Sequence, residues 1–129
     1  MSIYQQNPSC NCSPRTFIET NIFTKSWFDL GLTDDDLILL QQALINNPKL
    51  GKVIPGTGSL RKLRFKLKGK GKRGGARIVY VDFLQFETIY LVYVYSKSEE
   101  VDLTQGEKKL FVTLINQLKK ELKKEESNE

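Results

Sequence analysis

The residues best equipped for chemistry are basic, and they alternate. Along Leu60 to Lys68 the side chains Lys62, Arg64, Lys66 and Lys68 are interleaved with Leu63, Phe65 and Leu67. In an extended strand this spacing puts the cations on one face and the apolar residues on the other. Lys70, Lys72, Arg73 and Arg77 follow closely. Arginine forks and lysine ammonium groups in a row suit the phosphates of a nucleic acid, and forked donors can also stabilise a phosphorane as it forms. Further on, Tyr93, Tyr95 and Lys97 share a face of another extended stretch, and Arg77 alternates with Val79. If register brings these together, cations and aromatic rings form one platform for backbone and bases. Arg77 opens its strand beside a turn and is expected to be exposed.

The charge distribution supports this focus. Residues 56–82 carry nine basic side chains against one acid, Asp82, and so +8. The flanking segments carry −1 and −2, which leaves +5 over the 129 residues. The chain has no histidine. That excludes histidine acid–base catalysis, Ser–His–Asp triads and histidine-ligated metal sites. Cys10 and Cys12 are too close for an unstrained disulfide and have no further soft ligands, so neither a cross-link nor a metal site is expected. Gly69 to Gly74 satisfies GxGxxG, but an extended segment follows it where a dinucleotide site needs a helix. Pro55-Gly56-Thr57-Gly58 lacks the GK[ST] of a phosphate-binding loop. No cofactor is implied. No apolar run reaches the ~18 residues of a membrane span, and the first residues lack the basic start and apolar stretch of a signal peptide.

The elements that position these residues can be read from caps and periodicity. Residues 1–14 are polar and aperiodic, and read as a flexible extension. Arg15 to Phe23 is β-branched and aromatic, a first strand, and Lys25 to Leu30 a helical turn. Thr33 caps a helix whose first turn holds Asp34, Asp35 and Asp36, where the helix dipole favours negative charge. Leu60–Lys68, Ala76–Phe83 and Thr88–Lys97 form an antiparallel meander. Thr104-Gln105-Gly106-Glu107 is a capping box before an apolar stripe of Leu110, Phe111, Leu114, Ile115, Leu118 and Leu122. The result is a small single α+β domain over 15–122, with a frayed tail at 123–129. Its helices pack on one sheet face and leave the other open.

Three stretches carry a family resemblance: NPKLGKVIPGTGSLRKLR from Asn47, GKGKRGGARIVY from Gly69 and YLVYVYSKSEEVDLT from Tyr90. Together they resemble the HigB-like branch of the RelE/ParE toxin superfamily, the toxin halves of type II toxin–antitoxin modules. The likeness covers roughly residues 15–120. It implies a RelE-like fold, a cytoplasmic toxin, a cognate helix-turn-helix antitoxin as partner, and no membrane association. It also implies ribosome-dependent cleavage of mRNA in the A site, with ribosomal RNA contacts.

By that resemblance the catalytic residues are Lys62, Arg64, Arg77 and Lys97. From charge and alternation alone, Lys66, Lys68, Lys70, Lys72 and Arg73 are expected to bind RNA and Tyr95 to stack a base. Where some relatives carry a further arginine this chain has Ser98, and where some carry a C-terminal tyrosine it has Leu103 and Thr104. The implied reaction needs no metal. A ribose 2′-OH attacks its own 3′-phosphate, with Lys62 as base, Arg64 and Arg77 as forked donors, and Lys97 as acid or charge stabiliser. A free lysine titrates near ~10.4, so activity is expected to depend on the ribosome to position the RNA. Two alternatives use the same residues differently. One is a non-catalytic nucleic-acid-binding module; the other is a ParE-like toxin directed at gyrase.

Overall fold

The computed structural model describes residues 2–4, 15–66, 75–99 and 102–127. It is a small single α+β domain built on a six-stranded sheet. Strand β1 is Ser2–Tyr4, β2 Arg15–Glu19, β3 Lys52–Val53, β4 Leu60–Phe65, β5 Ala76–Phe83 and β6 Thr88–Ser96. Their spatial order is β1-β2-β6-β5-β4-β3. The meander β4–β5–β6 is antiparallel, as expected, while β2 joins it by parallel pairing with β6.

Thr20 decides where the first half turns. Its Oγ1 accepts from the Phe23 N–H at 3.1 Å and donates to the Val92 carbonyl at 2.7 Å. Helix α1, Asn21–Asp29, starts there, so β2 ends at Glu19 rather than running on to Phe23. The four-residue spacing of Phe23 and Trp27 stacks their rings at 5.4 Å on one buried helix face. Helix α2, Asp34–Asn46, opens with the expected Thr33 cap, a full capping box with Asp36. Helix α3, Gln105–Ser127, opens with the Thr104–Glu107 box.

The packing differs from expectation in one respect that matters for function: helices cover both faces of the sheet. Helices α1 and α2 pack Phe23, Trp27, Leu40, Leu44 and Ile45 against Phe17, Leu63, Ile78, Tyr80, Ile89 and Leu91. Helix α3 lies on the opposite face, where Ile115 and Leu122 meet Leu60, Val79, Val81, Tyr90 and Val92. The cause is in β5, which is apolar at both phases of its alternation, so both faces need cover. Fully burying one such side chain is worth ~1.5–3 kcal/mol. Leu110, assigned to the apolar stripe, faces solvent at 72% exposure.

Both ends also depart from expectation. Ser2–Tyr4 pair with β2 as an edge strand, so the segment read as a flexible extension contributes to the sheet at those residues. At the other end α3 continues through Ser127, past the point where fraying was expected. Cys10, Cys12 and the glycine-rich turn at 69–74 lie outside the described residues. Among the described residues, no helix is long and apolar enough to cross a membrane.

Candidate functional site

The register places the expected basic and aromatic residues in two successive same-face rungs of the sheet, separated by the oppositely facing rung Leu63–Ile78–Val94. In one rung Lys62 lies opposite Val79, which lies opposite Tyr93. In the next, Arg64 lies opposite Arg77, which lies opposite Tyr95. Directly opposite residues share a face, so Lys62, Arg64, Arg77, Tyr93 and Tyr95 all project on the α3 side. A β-bulge contributes to this alignment: Val79 pairs with Tyr93 but Tyr80 with Leu91, which leaves Val92 as the extra residue. Such bulges re-aim side chains. The rings of Tyr93 and Tyr95 stack with centroids 5.8 Å apart at 26°.

This face is not the open platform expected. The start of α3 crosses it and encloses a cleft of about 560 Å³. Lys62, Val79, Tyr93 and Tyr95 line the cleft from the sheet, Lys52 to Pro55 from β3 and the loop after it, and Glu107, Lys108 and Phe111 from α3. Glu99, Asp102 and Leu103 complete the wall between β6 and α3. Three carboxylates therefore stand beside three lysines. Sequence reasoning did not find these acids. The Thr104–Glu107 box fixed where α3 begins but not which face of the sheet it crosses.

Local hydrogen bonds hold two of the acids in place. The Thr104 backbone N–H donates to Glu107 Oε1 at 2.9 Å, and the Glu107 N–H donates to Thr104 Oγ1 at 3.1 Å. The first bond favours the ionised form and holds the Glu107 carboxyl below its ordinary range. Ser96 Oγ donates to Glu99 Oε1 at 3.0 Å and lies 2.9 Å from the Ser98 hydroxyl. Ser98, at the position where some of the resembled family carry arginine, is thus part of a small hydroxyl–carboxylate cluster.

The other expected site residues divide. Arg64 is exposed, but Arg77 is only 2% exposed, contrary to the expectation for a residue beside a turn. The reason is position: β5 is central, and Arg77 is flanked by Arg64 on one side and Tyr95 on the other. Lys66 is exposed just beyond the end of β4. Lys97 falls one residue past β6, exposed in the 3-10 turn Lys97–Glu99, and is not among the cleft residues. Lys68, Lys70, Lys72 and Arg73 lie outside the described residues. What the described site can do is bind: a cation pair on one rung, a stacked aromatic pair, and three lysines lining a half-open cleft.

No model of a known protein family matches the chain.

Proposed function

We propose that the protein is the toxin of a type II toxin–antitoxin module, an endoribonuclease that cleaves messenger RNA in the ribosomal A site. The observation that supports this reading best is the rung Arg64–Arg77–Tyr95 beside Lys62. The exposed guanidinium of Arg64 can fork onto a phosphate, the buried Arg77 opposite it adds positive charge from the next strand, and a ring next to them can stack the adjoining base.

The chemistry follows from these groups. The ribose 2′-oxygen attacks the adjacent phosphorus while its proton passes to the neutral amine of Lys62. Arg64 donates to the phosphorane oxygens as negative charge builds, and the buried Arg77 cation beside it favours that charge. The bond from phosphorus to the 5′-oxygen then breaks, and that oxygen takes a proton from Lys97 or from water. The products are a 2′,3′-cyclic phosphate and a free 5′-hydroxyl. A lysine base is weakly populated at neutral pH, so the reaction depends on a ribosome holding the RNA in line. A helix-turn-helix antitoxin and a cytoplasmic setting belong to the same reading.

The test compares two exposed cations on the same face. Message ends are mapped after induced expression of the wild type, Arg64→Ala and Lys66→Ala. Arg64→Ala is expected to lower cleavage by ~10²–10³, the usual cost of one transition-state donor. Lys66→Ala should weaken association and reduce its salt dependence by about one phosphate contact. Equally mild effects would make the surface a diffuse binding site. Loss of DNA supercoiling with messages intact would point to gyrase.

A further inference from the structure

Phosphate binding does not explain the make-up of the cleft. A surface built only to grip a polyanion gains nothing from Glu99, Asp102 and Glu107, since each carboxylate repels a nearby phosphate. Apart from Lys52, Lys62 and Lys108, the rest of the lining is apolar or aromatic, with the Tyr93–Tyr95 stack on the sheet side and Phe111 on the helix side. At about 560 Å³ the cleft is large enough for a flat heterocycle with its sugar, within the ~300–1,000 Å³ usual for small-ligand sites.

We infer that this cleft is a nucleobase pocket selective for guanine, with the acids between β6 and α3 reading the base and the lysines holding its phosphates. The inference rests on RNA being the substrate and adds which nucleotide the site selects. An ionised carboxylate only accepts hydrogen bonds. Guanine alone among the four bases presents two adjacent donors on its pairing edge, N1–H and the 2-amino group, and these match the two oxygens of one carboxylate. Adenine and cytosine set a single amino group beside a bare ring nitrogen that repels the acid. Uracil sets one N–H between two carbonyls.

Asp102 is the reader. Glu107 Oε1 is engaged in the helix cap and Glu99 Oε1 accepts from Ser96, whereas Asp102 takes part in neither bond. The aromatic walls supply stacking that any base would receive. The acid supplies the discrimination.

The test uses trinucleotides with 2′-O-methyl groups throughout, which cannot be cleaved, with guanosine, inosine, adenosine, cytidine or uridine at the centre. Binding to the full chain is followed by tyrosine fluorescence or NMR. The guanosine oligomer is expected to bind about tenfold more tightly than the others, inosine included, because inosine lacks the 2-amino donor. Asp102→Asn should remove most of that preference and leave the adenosine oligomer's affinity unchanged. Equal affinity for all five, no binding of any, or a preference surviving both Asp102→Asn and Glu99→Gln would overturn the inference. Guanine selectivity without message cleavage would sink the ribonuclease reading and keep the pocket. Cleavage without selectivity would do the reverse.

Discussion

Arg64 and Arg77 lie directly opposite each other across the β4–β5 pair. Like charges in that relation destabilise a sheet. The fold keeps the arrangement at the edge of the cleft, with one guanidinium exposed and the other almost wholly buried. Replacing the exposed partner with a β-favouring neutral residue, Arg64→Thr, should therefore raise stability by up to ~0.5 kcal/mol while abolishing cleavage. Urea denaturation checks the first part and mapping of message ends the second. A loss of stability would mean that the pair is held for structural reasons.

Arg77 requires a different test because it is buried. Arg77→Ala should reduce both cleavage and stability, the latter by well over the ~0.5 kcal/mol typical of surface sites. Arg77→Lys keeps the charge but loses the fork. It should retain more stability and more cleavage than Arg77→Ala. Melting temperature alongside a growth-arrest assay separates the two effects.

Arg15 and Asp82 form an ion pair that spans the intervening strand β6, with Nε to Oδ1 at 2.9 Å and Nη2 to Oδ2 at 3.4 Å. Their side chains are 3% and 11% exposed. Arg15→Ala leaves Asp82 without this partner in a poorly hydrated place and should cost ~3 kcal/mol. Arg15→Met combined with Asp82→Leu should recover much of that loss in urea denaturation.

Tyr80 links the loop before β3 to the sheet. Its hydroxyl accepts from the Gly51 N–H at 2.9 Å and donates to the Pro48 carbonyl at 2.8 Å. Burial raises its pKa above the ordinary 10.0. A raised folded value means that its contribution is intact below about pH 10 and declines as the pH rises towards the folded value. Alkaline unfolding should therefore be cooperative with ionisation of this tyrosine. In Tyr80→Phe, tyrosinate absorbance should lose that late component, and stability at neutral pH should fall by ~1–3 kcal/mol.

Glu107 works in the opposite direction. Its carboxyl is depressed below 4.5 by the Thr104 bonds, so its support for α3 is present above that value and is lost as the pH falls through the folded one. The Thr104 amide resonance should shift over that acid range in the wild type. In Glu107→Gln the shift should be absent.

Much of this architecture is legible in the residues. The alternation from Leu60 to Phe65 gives the strand and the shared face of Lys62 and Arg64, and Thr33 and Thr104 mark two helix starts. Other features depend on partners that local pattern does not encode. Ile22 and Phe23 read as strand because they are β-favouring, yet Thr20 bonds Val92, distant in sequence, and turns the chain into a helix there. The side on which α3 packs is a choice between two apolar faces of β5, and the acids that line the cleft follow from that choice. Register alone joins Arg64 to Arg77 and Tyr95.

The parallel pairing of Thr16 with Thr88 also governs how the molecule can be made. The sheet under the first helices is complete only when β6 arrives to receive β2, after all the other strands have been synthesised. Closing so long a loop is entropically slow, and topologies dominated by distant pairings fold late. A chain terminated before Thr88 would lack Ile89, Leu91 and Val94 from the core that holds Phe17, Phe23 and Trp27, and would leave β2 without its parallel neighbour and exposed to proteases.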